Sequence, residues 1–314
     1  MAVVTGDLLD RAGTGDKRAL ARVLTVVEND EPGAADIVRR TFPKAGRALV
    51  LGVTGPPGGG KSTLVSRLVG AYRGKGSRVA VVAVDPSSPF TGGAILGDRI
   101  RMQSRALDEG VFIRSMASRG HAGGLARTTA RVVSVLDALG NDVVIVETVG
   151  VGQEEVDVVR VADTVALVTV PGLGDDIQAI KAGVLEIADV LIVNKADRPG
   201  ADETAKDLAQ MLTLGVARND WKPPIVRTVA ATGEGIDELV DAVSRHQAHA
   251  RESGERERRR ADSARVEVEA LLRDALVKRL EARVGGERVQ RAVERVAQRE
   301  QDPYAAVEEL LRDA

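Results

Sequence analysis

A glycine-rich octapeptide, GPPGGGKS, carries the residue types and the spacing needed to hold a phosphate group. Consecutive glycines let the backbone close around an anion so that its N–H groups point at the anion's oxygen atoms, and a helix that begins there adds its positive dipole end. Lys61 would neutralise phosphate charge, and the Ser62 hydroxyl would bind Mg²⁺. The predicted phosphate site consists of Gly55, Pro56, Pro57, Gly58, Gly59, Gly60, Lys61, Ser62 and Thr63.

The residues around the octapeptide support this interpretation. The apolar run 48–54 precedes it and has the composition of a buried strand, while Leu64, Val65 and Leu68 follow at helical spacing. A strand, a glycine loop and a helix in this order are the context that the G-x-x-x-x-G-K-[ST] motif requires. The sequence therefore predicts a P-loop.

A second motif, Asn194-Lys195-Ala196-Asp197, indicates which base accompanies the phosphates. It ends the apolar run 190–194, and an aspartate at that sheet edge can accept both N1–H and N2–H of guanine. Adenine offers no such pair of donors, so a site built around the carboxylate discriminates against it. The tetrapeptide Ala230-Ala231-Thr232-Gly233 follows another apolar run, 225–229, where a second base-contacting loop with Ala231 and Thr232 is expected. The same tetrapeptide would also suit an ordinary turn. We therefore predict that GTP and GDP are the ligands.

Several acidic residues have positions suited to a metal shell. Glu147-Thr148-Val149-Gly150 lies at the end of the apolar run 143–146. GTPases usually place Asp-x-x-Gly there, whose acid orients Mg²⁺ through water and whose glycine amide reaches the γ-phosphate. Asp85 directly follows a strand and Asp98 lies in a glycine-flanked segment, and both could alternatively cap a turn or helix. The predicted metal residues are Ser62, Asp85, Asp98 and Glu147, and the predicted catalytic residues are Lys61, Asp98, Glu147 and Gly150.

Gln153 is not assigned a catalytic role, because it lies three residues beyond Gly150, whereas Ras-type switches place their water-orienting glutamine immediately after the glycine. The sequence therefore predicts slow intrinsic hydrolysis that depends on an activating partner.

Short apolar runs that alternate with helical segments predict an α/β fold with a mostly parallel sheet, a P-loop GTPase core, and helical N-terminal and C-terminal extensions. The predicted divisions are a helical extension over 1–46, the GTPase domain over 47–250 and a charged helical arm over 251–314, which packs on the α/β domain, on a second copy of the chain or on both, or else is a solvated helical tail. The arm has an apolar stripe at helical spacing, and Asp302 and Pro303 are suited to begin its last helix. The predicted strands are 48–54, 78–84, 111–116, 142–148, 164–170, 190–194 and 225–229.

Composition excludes several other classes. The 44 basic and 46 acidic residues nearly cancel, and only six of 314 residues are aromatic, which argues against nucleic-acid binding. The chain has no cysteine and three histidines, so disulfides and thiolate metal sites are excluded. Because it shows neither a secretory leader nor a long apolar segment, we expect a cytoplasmic protein without a membrane anchor.

The glycine-rich octapeptide, the Glu147 and Asn194 motifs and the segments Asp85-Pro86-Ser87-Ser88-Pro89 and 92–99 together resemble the MeaB/ArgK-type GTPases. These are SIMIBI-class P-loop proteins associated with adenosylcobalamin-dependent acyl-CoA mutases. The resemblance covers nearly the whole chain and implies a homodimer joined through helical extensions. It also implies that residues 171–181 form an additional switch. Where the family has a Ser-Ala base loop, this chain has Ala231-Thr232-Gly233.

The resemblance implies a function as well: GTP-dependent chaperoning of methylmalonyl-CoA mutase or a related acyl-CoA mutase, by gating its cobalamin loading and protecting it from inactivation. Two alternatives stay open. One is a phosphotransferase of the transport-system kinase type, which the P-loop permits. The other is a nickel-inserting metallochaperone GTPase, which is disfavoured by the lack of cysteine and the few histidines.

Overall fold

Within the residues that the structure describes, seven strands, all parallel, form one sheet in the order β3-β2-β4-β1-β5-β6-β7. The computed structural model describes residues 2–86, 107–118, 124–148, 161–172, 187–214 and 220–312. All seven strands expected from the apolar runs are confirmed, and so is the α/β fold class. The strands are β1 (Leu49–Thr54), β2 (Val79–Pro86), β3 (Val111–Ser118), β4 (Val143–Thr148), β5 (Thr164–Thr169), β6 (Val190–Asn194) and β7 (Ile225–Thr228).

Helices cover both faces of the sheet, as parallel strands require when apolar side chains project from both of their faces. Neighbouring residues of β1 show the division: Val50 packs with α2, α3 and α5 on one face, and Leu51 packs with α4 and α7 on the other. The described helices are α1 (Ala2–Gly13), α2 (Lys17–Glu28), α3 (Ala34–Thr41), α4 (Lys61–Gly74), α5 (Gly124–Ala138), α6 (Ala201–Leu214), α7 (Ile236–Glu252), α8 (Glu255–Val284), α9 (Gly286–Ala297) and α10 (Pro303–Arg312). None of them is long and apolar enough to cross a lipid bilayer.

The strand order places the predicted motifs at one edge. The chain leaves β1 toward β2 and β3 on one side and later fills β5, β6 and β7 on the other, so the order reverses around β1. Ligands of open parallel sheets bind beyond the carboxyl ends of the strands at such a reversal. The glycine loop follows β1, Glu147 lies in β4, and Asn194 ends β6, so all three meet at this carboxyl edge.

The opposite, amino edge of the sheet contains buried charges instead. Asp189, directly before β6, is 4% exposed and accepts hydrogen bonds from the Val165 backbone N–H at 2.8 Å and from both terminal nitrogens of Arg259 at 2.7 and 2.8 Å. Burial by itself would raise the pKa of the Asp189 carboxyl, but Arg259 and His246 outweigh it and hold the pKa below its ordinary value. These charged groups therefore tie β5 and β6 to the start of α8.

Residues 1–259 and 260–314 form two compact units. In the second unit α9 and α10 pack around the buried Ala292 and Ala306, and Arg295 Nη2 pairs with Glu309 Oε1 at 3.0 Å. The Asp302 carboxylate accepts hydrogen bonds from Tyr304 N and Ala305 N, both at 3.0 Å, which confirms it as the cap of α10. Exposed apolar side chains are frequent in this unit: Val266, Val268, Leu271, Leu272, Leu276, Val277, Val289, Val293, Tyr304, Val307 and Leu311.

Candidate functional site

The loop between β1 and α4 has a backbone that only glycine can adopt at two positions. Gly55 has φ +139°, and a Cβ there would lie 2.1 Å from the Val168 carbonyl oxygen. Gly60 has φ +84°, and a Cβ there would lie 2.5 Å from Asn194 Nδ2. Helix α4 then begins at Lys61 without a side-chain cap on its first amides. The loop therefore presents an anion-binding helix end at the carboxyl edge.

The Lys61 side chain folds back onto this loop. Lys61 is 6% exposed, and its Nζ donates to the carbonyl oxygens of Gly55 at 2.8 Å and Pro56 at 2.9 Å. A buried ammonium group held by neutral carbonyls can exchange them for a stronger anionic acceptor, because charge-assisted hydrogen bonds to an anion are stronger. Pro57 and Gly58 are exposed at the tip of the loop, and Thr63 is exposed on α4.

Ser62 and Glu147 lie side by side beneath the loop. The Ser62 hydroxyl donates to Glu147 Oε1 at 2.7 Å, and the two residues are 7% and 3% exposed. On the adjacent strands, the Thr148 hydroxyl donates to Thr54 Oγ1 at 2.9 Å. A hydroxyl oxygen and a carboxylate oxygen this close form a hard-oxygen donor set of the kind that Mg²⁺ prefers.

Side chains of the Asn-Lys-x-Asp motif reach the glycine loop directly. Asn194 Nδ2 donates to the Gly59 carbonyl and Lys195 Nζ to the Gly58 carbonyl, both at 2.8 Å. Lys195 has the unusual φ of +57°, which turns the chain back toward the loop. The structure thus joins two motifs that are 135 residues or more apart in sequence.

Asp197 lies next to this junction with its side chain exposed. Throughout the described part of the chain, no residue donates a hydrogen bond to its carboxylate or pairs with it. The preceding Ala196 N–H donates to the Thr228 carbonyl at 3.0 Å, which fixes the loop beside the end of β7. Asp197 is therefore an anchored acceptor that faces solvent, as expected of a group that binds a ligand's donors.

The turn after β7 is the second predicted base loop. Ala230 N–H donates to Asn194 Oδ1 at 3.1 Å, and the N–H groups of Thr232 and Gly233 donate to the Val229 carbonyl at 3.0 and 2.9 Å. The N–H of Ala231 has no acceptor within the described ranges. This turn therefore offers one backbone donor next to the loop that carries Asp197.

The structure gives no side-chain contacts for three other predicted site residues, Asp85, Asp98 and Gly150. Asp98 and Gly150 lie outside the described residues, and so does Gln153, to which no role is assigned. Asp85 is in the last part of β2, which ends at the same carboxyl edge, and its side chain lies outside the described set. Their roles stay predictions.

The structure adds two features that sequence reasoning missed. Arg67 of α4 contacts the carbonyl oxygens of Ala230 and Ala231 on the turn after β7. An arginine on a helix carries no sequence signal for such a contact, because the partners are 163 and 164 residues away. The second feature is the cluster at the amino edge.

Asp189, His246 and Glu255 at the amino edge have the donor types of a metal site, with one ligand atom from each within 4.8 Å of the others. Arg259 pairs with both carboxylates of this cluster, however, so its guanidinium already supplies the positive charge. His246 is fully buried, its Nδ1 is hydrogen-bonded to Thr164 Oγ1 at 2.8 Å, and Trp221 packs edge-on against its ring. The cluster is therefore a buried ionic network in which Arg259 neutralises the carboxylates that a metal ion would need.

Comparison with known proteins agrees with the geometry of the carboxyl edge. Residues 20–284 match the family described as methylmalonyl Co-A mutase-associated GTPase MeaB. A Pyrococcus abyssi protein, named provisionally as a GTPase, is 48% identical over 310 residues, which cover 98% of this chain and 96% of the relative. The methylmalonic aciduria type A homolog, mitochondrial, of Mus musculus is 31% identical over 278 residues, 83% of this chain and 67% of the relative.

A solved structure described as LAO/AO transport system kinase has the same architecture. It superposes with a TM-score of 0.73 at 26% sequence identity and covers 99% of this chain and 97% of its own. The family match, the relatives and the shared architecture lead to one conclusion. The chain belongs to the family of methylmalonyl Co-A mutase-associated GTPases MeaB.

Proposed function

We propose that the carboxyl edge binds GTP and GDP and that the chain hydrolyses GTP slowly. The observation that carries this proposal is the hydrogen-bonded junction between the glycine loop and the Asn194-Lys195 segment, with the Asp197 carboxylate open to solvent beside it. A phosphate-binding loop and a guanine-selective carboxylate are thereby held on one rigid frame, as a single nucleotide requires.

Each residue then has a defined part. The glycine loop holds the phosphates, and Lys61 leaves the carbonyls of Gly55 and Pro56 to neutralise the β- and γ-phosphates. Asp197 accepts N1–H and N2–H of guanine, and the Ala231 N–H donates to the 6-oxo oxygen. Thr232 orders the turn through the hydrogen bond from its hydroxyl to the Val229 carbonyl at 3.1 Å.

Ser62 and Glu147 are the described residues suited to hold Mg²⁺, because their oxygens are adjacent and buried. The ion would neutralise charge on the β- and γ-phosphate oxygens. Asp85, Asp98 and Gly150 are proposed to complete the metal and γ-phosphate contacts at the same edge. Hydrolysis is proposed to be slow because Gln153 is not positioned in sequence as a Ras-type water-orienting residue.

The output of this cycle is proposed to be a change of conformation that serves an adenosylcobalamin-dependent acyl-CoA mutase. The family description names methylmalonyl Co-A mutase as the associated enzyme. Loss of γ-phosphate contacts would release the segments that carry Asp98 and Gly150, which is how nucleotide switches signal. We propose that the chain gates cobalamin loading of the mutase and protects it from inactivation.

The same proposal includes a homodimer joined through the unit 260–314. On α8, Val268, Leu272 and Leu276 recur every four residues, and each is about half exposed or more. A contiguous apolar row of this kind is typical of a protein interface. A second copy of the chain offers the matching row by symmetry.

Nucleotide titration tests the binding proposal. The wild-type chain should bind GDP far more tightly than ADP, and Asp197→Asn should weaken GDP binding about 100-fold while improving binding of xanthosine diphosphate, because an amide donates to the 2-oxo group of xanthine. Asp207→Asn, an exposed position on α6, is the matched control and should leave both affinities unchanged. Equal affinity of the wild type for ADP and GDP would exclude the guanine assignment.

A pull-down from native cell extract tests the partner proposal. The chain loaded with a non-hydrolysable GTP analogue should capture a cobalamin-dependent mutase in a different amount from the GDP-loaded chain. Lys61→Ala should remove the difference, because it cannot hold the triphosphate. Recovery of no mutase in either nucleotide state would contradict the proposal.

A phosphotransferase is the second candidate, because the matched solved structure is described as a transport system kinase. Incubation with γ-labelled GTP separates the two candidates. Label that appears as free phosphate supports hydrolysis, whereas label transferred to a partner protein or small molecule supports the kinase.

A further inference from the structure

Arg67 connects the helix that follows the glycine loop to the turn after β7. Its Nε donates to the Ala230 carbonyl at 2.9 Å, and its Nη2 donates to the Ala231 carbonyl. Arg67 has no carboxylate partner in the portion of the chain that the structure covers. The positive charge of its guanidinium therefore falls on these two carbonyl groups.

The contact closes a ring of hydrogen bonds around the candidate nucleotide site. Ala230 N–H donates to Asn194 Oδ1 at 3.1 Å, and Asn194 Nδ2 donates to the Gly59 carbonyl at 2.8 Å. The glycine loop continues into α4, which carries Arg67 back to the carbonyl of Ala230. Ala230 is thus held from both sides, at its N–H by Asn194 and at its C=O by Arg67.

The peptide bond between Ala230 and Ala231 gives this arrangement a chemical consequence. In a trans peptide the C=O and the N–H point in opposite directions, and the described residues contain no cis bond. Holding the Ala230 oxygen therefore fixes the direction of the Ala231 N–H, the one donor of this turn without an acceptor in the described structure. A cation bound to the carbonyl also polarises the peptide and strengthens its N–H as a donor.

We propose that Arg67 is a specificity-determining positioning residue, which aims and strengthens the Ala231 N–H toward the 6-oxo oxygen of guanine. This inference rests on the proposed binding of guanine nucleotides. It separates base recognition into two parts, in which Asp197 reads the N1 and N2 donors and Arg67 acts through Ala231 on the group at position 6. A purely structural role for Arg67 would affect every nucleotide equally.

Three nucleoside diphosphates distinguish these parts. Inosine diphosphate keeps the 6-oxo oxygen and lacks the 2-amino group. In 6-thioguanosine diphosphate, sulfur, a weak acceptor, replaces the 6-oxo oxygen while N1–H and N2–H stay. Their equilibrium dissociation constants, together with that of GDP, should be measured for the wild type and for Arg67→Ala, Arg67→Gln and Arg67→Lys.

We expect Arg67→Ala to weaken GDP and inosine diphosphate about 5- to 10-fold and 6-thioguanosine diphosphate less than twofold, because only the first two lose a strong hydrogen bond. Arg67→Lys, which keeps a charged donor, should restore part of the preference for GDP over the thio analogue. Arg67→Gln should restore less. Arg258→Ala is the matched control, since Arg258 is exposed and donates to the Ser253 carbonyl at 3.0 Å, away from the base loop.

The outcomes are distinct. Equal weakening of all three nucleotides, or no weakening, overturns the role of Arg67 while leaving guanine binding intact. A wild type that does not prefer GDP to ADP overturns the proposed function and this inference with it. Should Arg67→Ala melt at a markedly lower temperature, the same affinity ratios in Arg67→Lys and Arg67→Gln decide the question.

Discussion

The two edges of the sheet use charged residues in opposite ways. At the carboxyl edge, Asp197 is exposed and has no partner in the described structure, while the Lys61 ammonium group donates to the neutral carbonyls of Gly55 and Pro56. At the amino edge, Asp189 and Arg259 pair with each other in a buried network. Residue type alone therefore does not mark a functional site in this fold, because acids and bases are present at both edges.

What separates the edges is whether the carboxylates are paired with a cation within the described chain. A buried charge with a good partner contributes to the integrity of the fold, and breaking the pair leaves the other charge stranded. An exposed carboxylate without a partner in the described structure, such as that of Asp197, is available for a ligand. The predictions below test this division in order of decreasing expected effect.

Replacement of Arg259 should produce the largest loss of stability. Arg259→Leu leaves the buried carboxylates of Asp189 and Glu255 without their cation, which should lower the free energy of unfolding by about 3–5 kcal/mol. Urea denaturation measures this change. GDP affinity of the folded variant should stay within about twofold of wild type, since Arg259 is at the other edge.

Arg258→Leu provides the matched control, because Arg258 precedes Arg259 on α8 but is exposed. It should change the free energy of unfolding by less than about 0.5 kcal/mol. Equal losses in the two variants would contradict the importance of the buried network.

Replacement of Lys61 should have the opposite effect, with a large loss of GTP hydrolysis and a smaller loss of stability. Lys61→Ala removes the cation proposed for the β- and γ-phosphates and should reduce the rate of GTP hydrolysis about 100-fold or more, which corresponds to roughly 3 kcal/mol. Its unfolding free energy should change less than that of Arg259→Leu, because the Gly55 and Pro56 carbonyls that lose the ammonium group carry no net charge and can hydrate. Single-turnover hydrolysis and urea denaturation give the two values.

Lys206→Ala, at an exposed position of α6, should affect neither quantity. A Lys61→Ala chain that is strongly destabilised while its hydrolysis is unaffected would place Lys61 with the structural charges instead, and the division between the edges would fail.

The two edges also differ in how far the sequence predicts them. The glycine loop and the Asn-Lys-x-Asp motif are local patterns after apolar strands, so their positions at one edge follow from a parallel sheet. The central strands β1, β4, β5 and β6 are predictable because they are buried on both faces and are mostly continuous apolar runs.

The amino-edge network is not predictable in this way. His246 and Arg259 follow Asp189 by 57 and 70 residues in the sequence. Each of the three alone resembles an ordinary surface residue. The contact of Arg67 with the base loop was missed for the same reason, because only the folded chain brings α4 beside the turn after β7. Long-range polar contacts leave no regular residue spacing in the sequence, unlike the apolar residues of helices and strands.

The smallest predicted effect is on the free energy that Asp189 contributes to folding when the pH is lowered from 8 to 5. Because Arg259 and His246 hold the pKa of Asp189 below its ordinary value in the folded chain, its ionised form contributes stability that is present above the unfolded value of about 3.9. That contribution disappears only as the pH falls through the lower pKa of the folded state. The free-energy difference between wild type and Asp189→Asn should therefore stay constant from pH 8 to 5 and shrink below about pH 4.

Arg259 stays charged over the whole range, because its carboxylate partners raise the pKa of its guanidinium above the ordinary value, so Asp189 keeps this partner throughout the titration. If the difference already shrinks between pH 7 and 5, Asp189 is not held ionised by its partners, and the amino edge is less tightly closed than its hydrogen bonds indicate.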